Sequence, residues 1–114
     1  MCIHVNPLKV ERDNYWAKLK KREKIDAKKC ENSPFGILFP PLDTNIQEMR
    51  DFKEGMFEIC DEGPQLLGMR VKVEPGQKVL DLTGTAGSRA LTYGPYMKVF
   101  LSSFISVQRN HIHL

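Results

Sequence analysis

Apolar and polar positions divide the chain into short blocks. Cys2 to Val5 reads as a short strand that ends at Asn6-Pro7, where the proline ring fixes the backbone and removes a donor. From Glu11 to Lys29 good helix formers dominate. Tyr15, Trp16 and Leu19 recur there at three- and four-residue spacing, which predicts a helix with one buried stripe. Trp16 fits a core anchor better than a platform for stacking bases. Asn32-Ser33-Pro34 and Pro40-Pro41 are turns, and Phe35, Ile37, Leu38 and Phe39 between them form a short extended segment. Ile46 to Phe52 suits one or two helical turns, Lys53-Glu54-Gly55 breaks that pattern, and Met56-Phe57-Glu58-Ile59 reads as another strand.

Asp61-Glu62-Gly63-Pro64 opens a second helix, since proline fits a first turn and acidic residues favour the positive end of the helix dipole. Leu66, Leu67, Met69, Val71 and Val73 supply its apolar surface. Glu74-Pro75-Gly76-Gln77 is a turn, and Lys78-Val79-Leu80-Asp81-Leu82 is a short apolar strand of the buried, parallel type. Thr83-Gly84-Thr85-Ala86-Gly87 is a loop of small residues, and a helix is expected from Ser88 to about Thr92 or Tyr93. Strand, glycine loop and helix in that order make the opening unit of a nucleotide-binding α/β sheet.

A chain of 114 residues holds one ordinary domain or two small pieces that lean on each other. With 41% hydrophobic and 27% charged residues, the composition is that of a soluble globular protein with a core. The three cysteines, Cys2, Cys30 and Cys60, are odd in number and widely spaced, which favours free thiols in a reducing compartment over a disulfide framework or zinc site. The start of the chain lacks the regions of a signal peptide. The longest apolar stretch, Val99 to Val107, is too short and too interrupted by serine to span a bilayer, so an intracellular protein without a membrane partner is expected.

Net charge is only +3, but Lys18, Lys20, Lys21, Arg22 and Lys24 crowd together, with Lys28 and Lys29 beyond them. Such a cluster suits a polyanion such as RNA, because each neutralised phosphate releases counterions. A solvated helix face is the alternative, and charge alone favours it.

The glycine loop allows backbone amides to approach a ligand, and the following helix terminus attracts a carboxylate or phosphate. Its G-x-x-G spacing lacks the third glycine of a dinucleotide fingerprint and the Gly-Lys-Ser/Thr ending of a P-loop. A structural turn therefore accounts for the spacing as well as a ligand site does.

The neighbouring residues add a resemblance. Phe52-Lys53-Glu54-Gly55-Met56-Phe57-Glu58-Ile59-Cys60-Asp61-Glu62-Gly63-Pro64-Gln65-Leu66 and Pro75-Gly76-Gln77-Lys78-Val79-Leu80-Asp81-Leu82 follow patterns close to F-x-x-G-x-F-x-I-Q-D-E-x-S-Q-L and P-G-x-x-V-L-D-x-C-A-x-x-G-G-K-T. Val5-Asn6-Pro7-Leu8-Lys9 and Ser33-Pro34-Phe35-Gly36-Ile37 are similar to R-V-N-x-L-K and S-P-x-G-I. In this order the stretches resemble the Sun/Nop-type RNA (cytosine-5) methyltransferases, which use S-adenosylmethionine. The resemblance implies an α/β fold class: a small mixed α+β, RNA-binding module over residues 1–55, then an incomplete, Rossmann-like methyltransferase domain over residues 56–114, of which the first strand-loop-helix is present.

Carried over by position, S-adenosylmethionine would meet Asp81, Thr83, Gly84, Thr85, Ala86, Gly87, Ser88 and Arg89. Asp81 would join the hydrogen bonds around the cofactor or else cap the loop. The resemblance also implies RNA, ribosomal or transfer, as partner, with Lys18, Lys20, Lys21, Arg22 and Lys24 on the RNA side. Thr83 stands where the family has cysteine, Ser88 where it has glycine and Arg89 where it has lysine, and no Asp or Glu follows Asp81 to hold a ribose.

The chemistry needs a cysteine thiolate that adds to carbon 6 of cytosine. The family keeps it in Pro-Cys and Thr-Cys segments, and neither occurs among these residues. Cys60 occupies the family's glutamine position, so no catalytic residue is assigned. His111 and His113 lack a third ligand, and no metal is expected. The chain alone is expected to be inactive, needing a C-terminal remainder or a partner chain. A noncatalytic RNA-binding or regulatory module is the rival reading.

Overall fold

A computed structural model of the protein describes residues 1–77, together with the backbone of Ser106–Gln108 and His111–His113. The chain divides into two compact units, Met1–Leu66 and Leu67–Leu114.

The first unit is built on strand β1, Cys2–Val5, all four residues of which are buried. It lies between β3 (Gly36–Leu38) and β4 (Phe57–Ile59), and β2 (Lys28–Lys29) pairs outside β3, so the sheet order is β2-β3-β1-β4 with every pairing antiparallel. The strands expected at residues 2–5, 35–39 and 56–59 are thus those that form. Because side chains alternate across a strand, Ile3 and Val5 enter one face of the sheet and Cys2 and His4 the other. On the first face lie Ile3, Val5, Ile37, Phe39 and Phe57, with Tyr15 and Leu19 from helix α1 (Arg12–Lys21) packed into the same core. Phe57 is its hub, with the rings of Tyr15, Phe39 and Phe52 at centroid distances of 6.0, 5.9 and 5.8 Å.

Helix α1 is much shorter than the Glu11–Lys29 span expected. It ends at Lys21, the amide of Ile25 folds back to the carbonyl of Leu19 at 3.0 Å, and Lys24 adopts a positive φ of 55°. Lys28 and Lys29 then pair with Leu38 and Ile37. Tertiary pairing overrides propensity here: the return strand caps the edge of β3 and buries Ala27, whose carbonyl accepts the indole N–H of Trp16 at 2.8 Å. Trp16 is half-buried against the core, in the anchoring role.

A 3-10 turn at Ile46–Glu48 and the short helix α2 (Arg50–Lys53) occupy the region where one or two helical turns were expected. Gly55, at φ 73°, then turns the chain into β4, a conformation that other residues adopt only with strain. Helix α3 (Glu62–Met69) begins where the acidic Gly-Pro stretch suggested. Its buried contact with the sheet is polar Gln65, whereas Leu67, Met69 and Val71 stay exposed. The first unit runs to Leu66 and includes β4, paired with β1.

In the second unit Gln77 N–H donates to Glu74 O at 3.1 Å across the expected turn, and Gly76 has φ 85°. Strands β5 (Ser106–Gln108) and β6 (His111–His113) pair antiparallel, with Val107 opposite Ile112. The strand over 78–82, the glycine loop and the helix expected from Ser88 lie outside the described residues.

Candidate nucleic-acid interface

The five cations singled out in the sequence have different fates. Lys18 is committed to the fold: its ammonium lies 2.9 Å from Oδ2 of Asp51, whose carboxylate also accepts the Tyr15 hydroxyl at 2.9 Å. The Asp51 side chain is only 13% exposed, so breaking this pair would strand a charge that water hardly reaches. Burial, and then Asp51, push the Tyr15 phenol well above its ordinary pKa, so it remains a donor.

Lys20 is half committed. Its ammonium sits 4.9 Å from the centroid of the Trp16 ring and 3.4 Å from exposed Asp26, and Lys29 lies 4.7 Å from the same centroid. Exposed ion pairs contribute only about 0–1 kcal/mol, so a polyanion could displace Asp26. Lys21, Arg22 and Lys24 are exposed and have no ion pair among the described residues, and the same holds for Lys28 on the edge strand. Lys20 and Lys21 fall in the last turn of α1, where positive charge also complements the helix dipole.

A groove on the Lys18 side, 420 Å³ in volume, is lined by Lys18, Arg50, Met49, Glu23, Asp51 and Glu54. Three carboxylates against two cations disfavour a phosphate chain there. The exposed positive charge is therefore concentrated at the C-terminal end of α1 and the loop after it.

The residues that carried the family resemblance turn out to be joints of the first unit. The Asn6 side chain donates to Gly55 O at 3.0 Å and accepts from Leu8 N–H at 3.1 Å, and the Lys9 ammonium donates to Glu54 O. These bonds tie the segment after β1 to the turn before β4. One carboxylate oxygen of Glu62 accepts the amides of Asn32 and Ser33 at 2.7 and 2.8 Å, which holds its pKa below the ordinary glutamate value. Fully buried Gln65 accepts the Ser33 hydroxyl at 2.6 Å and donates to Cys60 O at 2.7 Å and Ile3 O at 3.1 Å. It thereby pins α3 to the sheet. Gly36 leaves room for this joint, because a Cβ there would lie 2.6 Å from Cys30 Sγ and 3.2 Å from Gln65 Oε1. The pattern displayed Ser33, Glu62 and Gln65, but only the fold assigns them a task.

Behind this joint lie two unusual groups. His4 is fully buried against Phe35, both ring nitrogens lack a hydrogen-bond partner, and burial lowers its pKa to about 4. The thiols of Cys2 and Cys30 are 3.3 Å apart, and burial, followed by the hydrogen bond shared with Cys30, pushes Cys2 up to about 12. No cluster able to hold a metal occurs among the described residues. Likewise, no described helix is long and apolar enough to cross a membrane. Asp81 and Thr83 through Arg89, the expected cofactor contacts, lie outside the described residues, as do the side chains of His111 and His113.

No family model matches the chain. Ribosomal RNA small subunit methyltransferase B of Pseudomonas syringae pv. tomato is 33% identical over 90 residues, which cover 78% of this chain and 19% of that protein. The crystal structure of PH0851 shares the fold with a TM-score of 0.74 at 22% identity, over 86% of this chain and 22% of the other. The chain thus spans about a fifth of the length of the relatives it matches. Matched in sequence over most of its own length, the chain is similar to the Pseudomonas RNA methyltransferase, in agreement with the Sun/Nop-type resemblance of its motifs.

Proposed function

We propose that this segment serves an RNA methyltransferase as its RNA-docking front module, followed by the beginning of the S-adenosylmethionine site. The observation that carries the reading is the separation of the basic cluster into a structural lysine, Lys18, and an exposed group, Lys21, Arg22 and Lys24, on a folded unit with its own core. The curated relative, a ribosomal RNA methyltransferase by name, makes RNA the polyanion of choice. Lys20 and Lys28 extend the exposed charge. S-adenosylmethionine would be held by the loop from Thr83 to Arg89, with Asp81 before it.

RNA affinity measured across a salt series tests the docking role. Each phosphate contact on a single strand contributes about −0.7 to the slope of log affinity against log salt. Replacing Lys21, Arg22 and Lys24 together with glutamine should flatten that slope by about 2, while circular dichroism stays unchanged. Lys18→Gln should instead lower stability and leave the slope nearly intact. An unchanged slope in the triple variant would reduce the cluster to a solvated helix end.

The rival, a noncatalytic RNA-binding or regulatory module, draws on the missing Pro-Cys and Thr-Cys segments. These 114 residues by themselves are expected to transfer no methyl group to RNA. Incubation with labelled cofactor and total RNA checks this, and cysteine-dependent label in cytosine would refute it.

A further inference from the structure

We propose that Cys2 and Cys30 form an oxidant-sensitive dithiol that closes to an intramolecular disulfide linking β1 to the end of β2. Their sulfurs are 3.3 Å apart, and the two thiols are only 4% and 5% exposed. The site is built rather than incidental: Gly36, on the strand between them, keeps clear the space that the Cys30 side chain fills. The Gln65 amide also reaches Cys2 Sγ, at 3.5 Å.

A disulfide needs the sulfurs at about 2.05 Å and the α-carbons within about 7 Å of each other. Strand β2 is two residues long and lies at the sheet edge, so it is the element that can yield to bring Cys30 inward. Burial keeps both thiols protonated, which makes the pair slow to react and stable when reduced.

The co-reactant is a peroxide. One cysteine, as thiolate, attacks a peroxide oxygen and breaks the O–O bond, giving a sulfenic acid and a hydroxide that takes up the thiol proton as water. The second sulfur then attacks the sulfenic sulfur, forms the S–S bond and expels the hydroxyl, which leaves with the second thiol's proton as a second water. Two thiols lose two electrons and one peroxide becomes two waters. The adjacent thiol intercepts the sulfenic acid before a further peroxide can carry it to sulfinic acid.

The full chain is treated with hydrogen peroxide in native buffer and in urea, its remaining thiols are alkylated, and intact mass and nonreduced peptide maps are recorded. In native buffer the mass should fall by about 2 Da before alkylation and then gain a single alkyl group, with Met1–Lys9 joined to Cys30–Arg50 in the tryptic map. Cys2 and Cys30 are 28 residues apart and Cys30 and Cys60 are 30 apart, so loop closure in urea favours neither pair. The native preference for Cys2–Cys30 over Cys30–Cys60 should therefore be at least about tenfold and should vanish in urea. Cys60→Ser should keep the link, and Cys30→Ser should convert Cys2 to higher oxides instead. Native oxidation that yields Cys2–Cys60, disulfides between copies, or only sulfinic acids would overturn the proposal.

Discussion

Gln65 shows how much one polar side chain can determine. It satisfies Ser33, Cys60 and Ile3 simultaneously inside the unit, so Gln65→Leu would keep the volume but leave buried polar atoms without partners. At about 1–3 kcal/mol for each such group, a loss of about 3 kcal/mol is expected from urea titration. A change below about 0.5 kcal/mol would mean that the network is incidental. His4 carries the opposite problem, a ring buried without partners. Its folded pKa of about 4 lies below the ordinary 6.5, so above pH 6.5 both folded and unfolded chains hold it neutral and its contribution is fully present. Between pH 6.5 and 4 only the unfolded chain takes up the proton, and about 3 kcal/mol of stability drains away before the loss levels off. Asp13 and Glu62, whose pKa values are lowered, add to the acid loss, and Glu58, raised by burial, opposes it. The decisive measurement is the difference between wild type and His4→Leu at pH 7 and pH 5: the variant should be at least as stable at pH 7 and should lose less on acidification.

At the scale of elements, the end of α1 is where the chain departs most from its own local preference. Lys24 accepts a left-handed backbone so that the chain can return along Ala27 and pair as β2. For a non-glycine residue that conformation costs about 1–2 kcal/mol, part of which glycine recovers against its greater freedom in the unfolded chain. Lys24→Gly should therefore raise stability by roughly 0.5–1 kcal/mol in thermal or urea unfolding. The same substitution should weaken RNA binding by removing one exposed charge. Opposite signs in the two assays would mark a residue retained for its charge at the expense of the fold. A variant less stable than wild type would show that the turn at Lys24 carries no strain.

For the whole molecule, the chain's share of its relatives' length, about a fifth, governs expectations of the cofactor. Ser88 stands where the family pattern has glycine, and no Asp or Glu follows Asp81 in these residues to hold a ribose. Calorimetry with S-adenosylmethionine should show weak binding at most. A dissociation constant of about 1 μM or better, equivalent to about −8 kcal/mol, would mean that other residues complete the pocket.

The elements were legible where local rules act alone. Proline and glycine punctuation marked the ends of β1 and α2, the acidic Gly-Pro stretch marked the start of α3, and the Tyr15–Leu19 spacing identified the buried stripe of α1. The family was legible as well, because its motifs stand in order along the chain. Pairing between distant segments was not. That Lys28 and Lys29 leave a helical pattern for a strand follows from the open edge of β3, and a local window of sequence contains no trace of that edge. The basic cluster read as five equivalent charges until Asp51, more than twenty-five residues from any of them, claimed Lys18. Sequence thus determined which segments can be helix or strand and which family they resemble. The fold decided which side chains are spent holding it together, because burial and ion pairing depend on residues that meet only when the chain is folded.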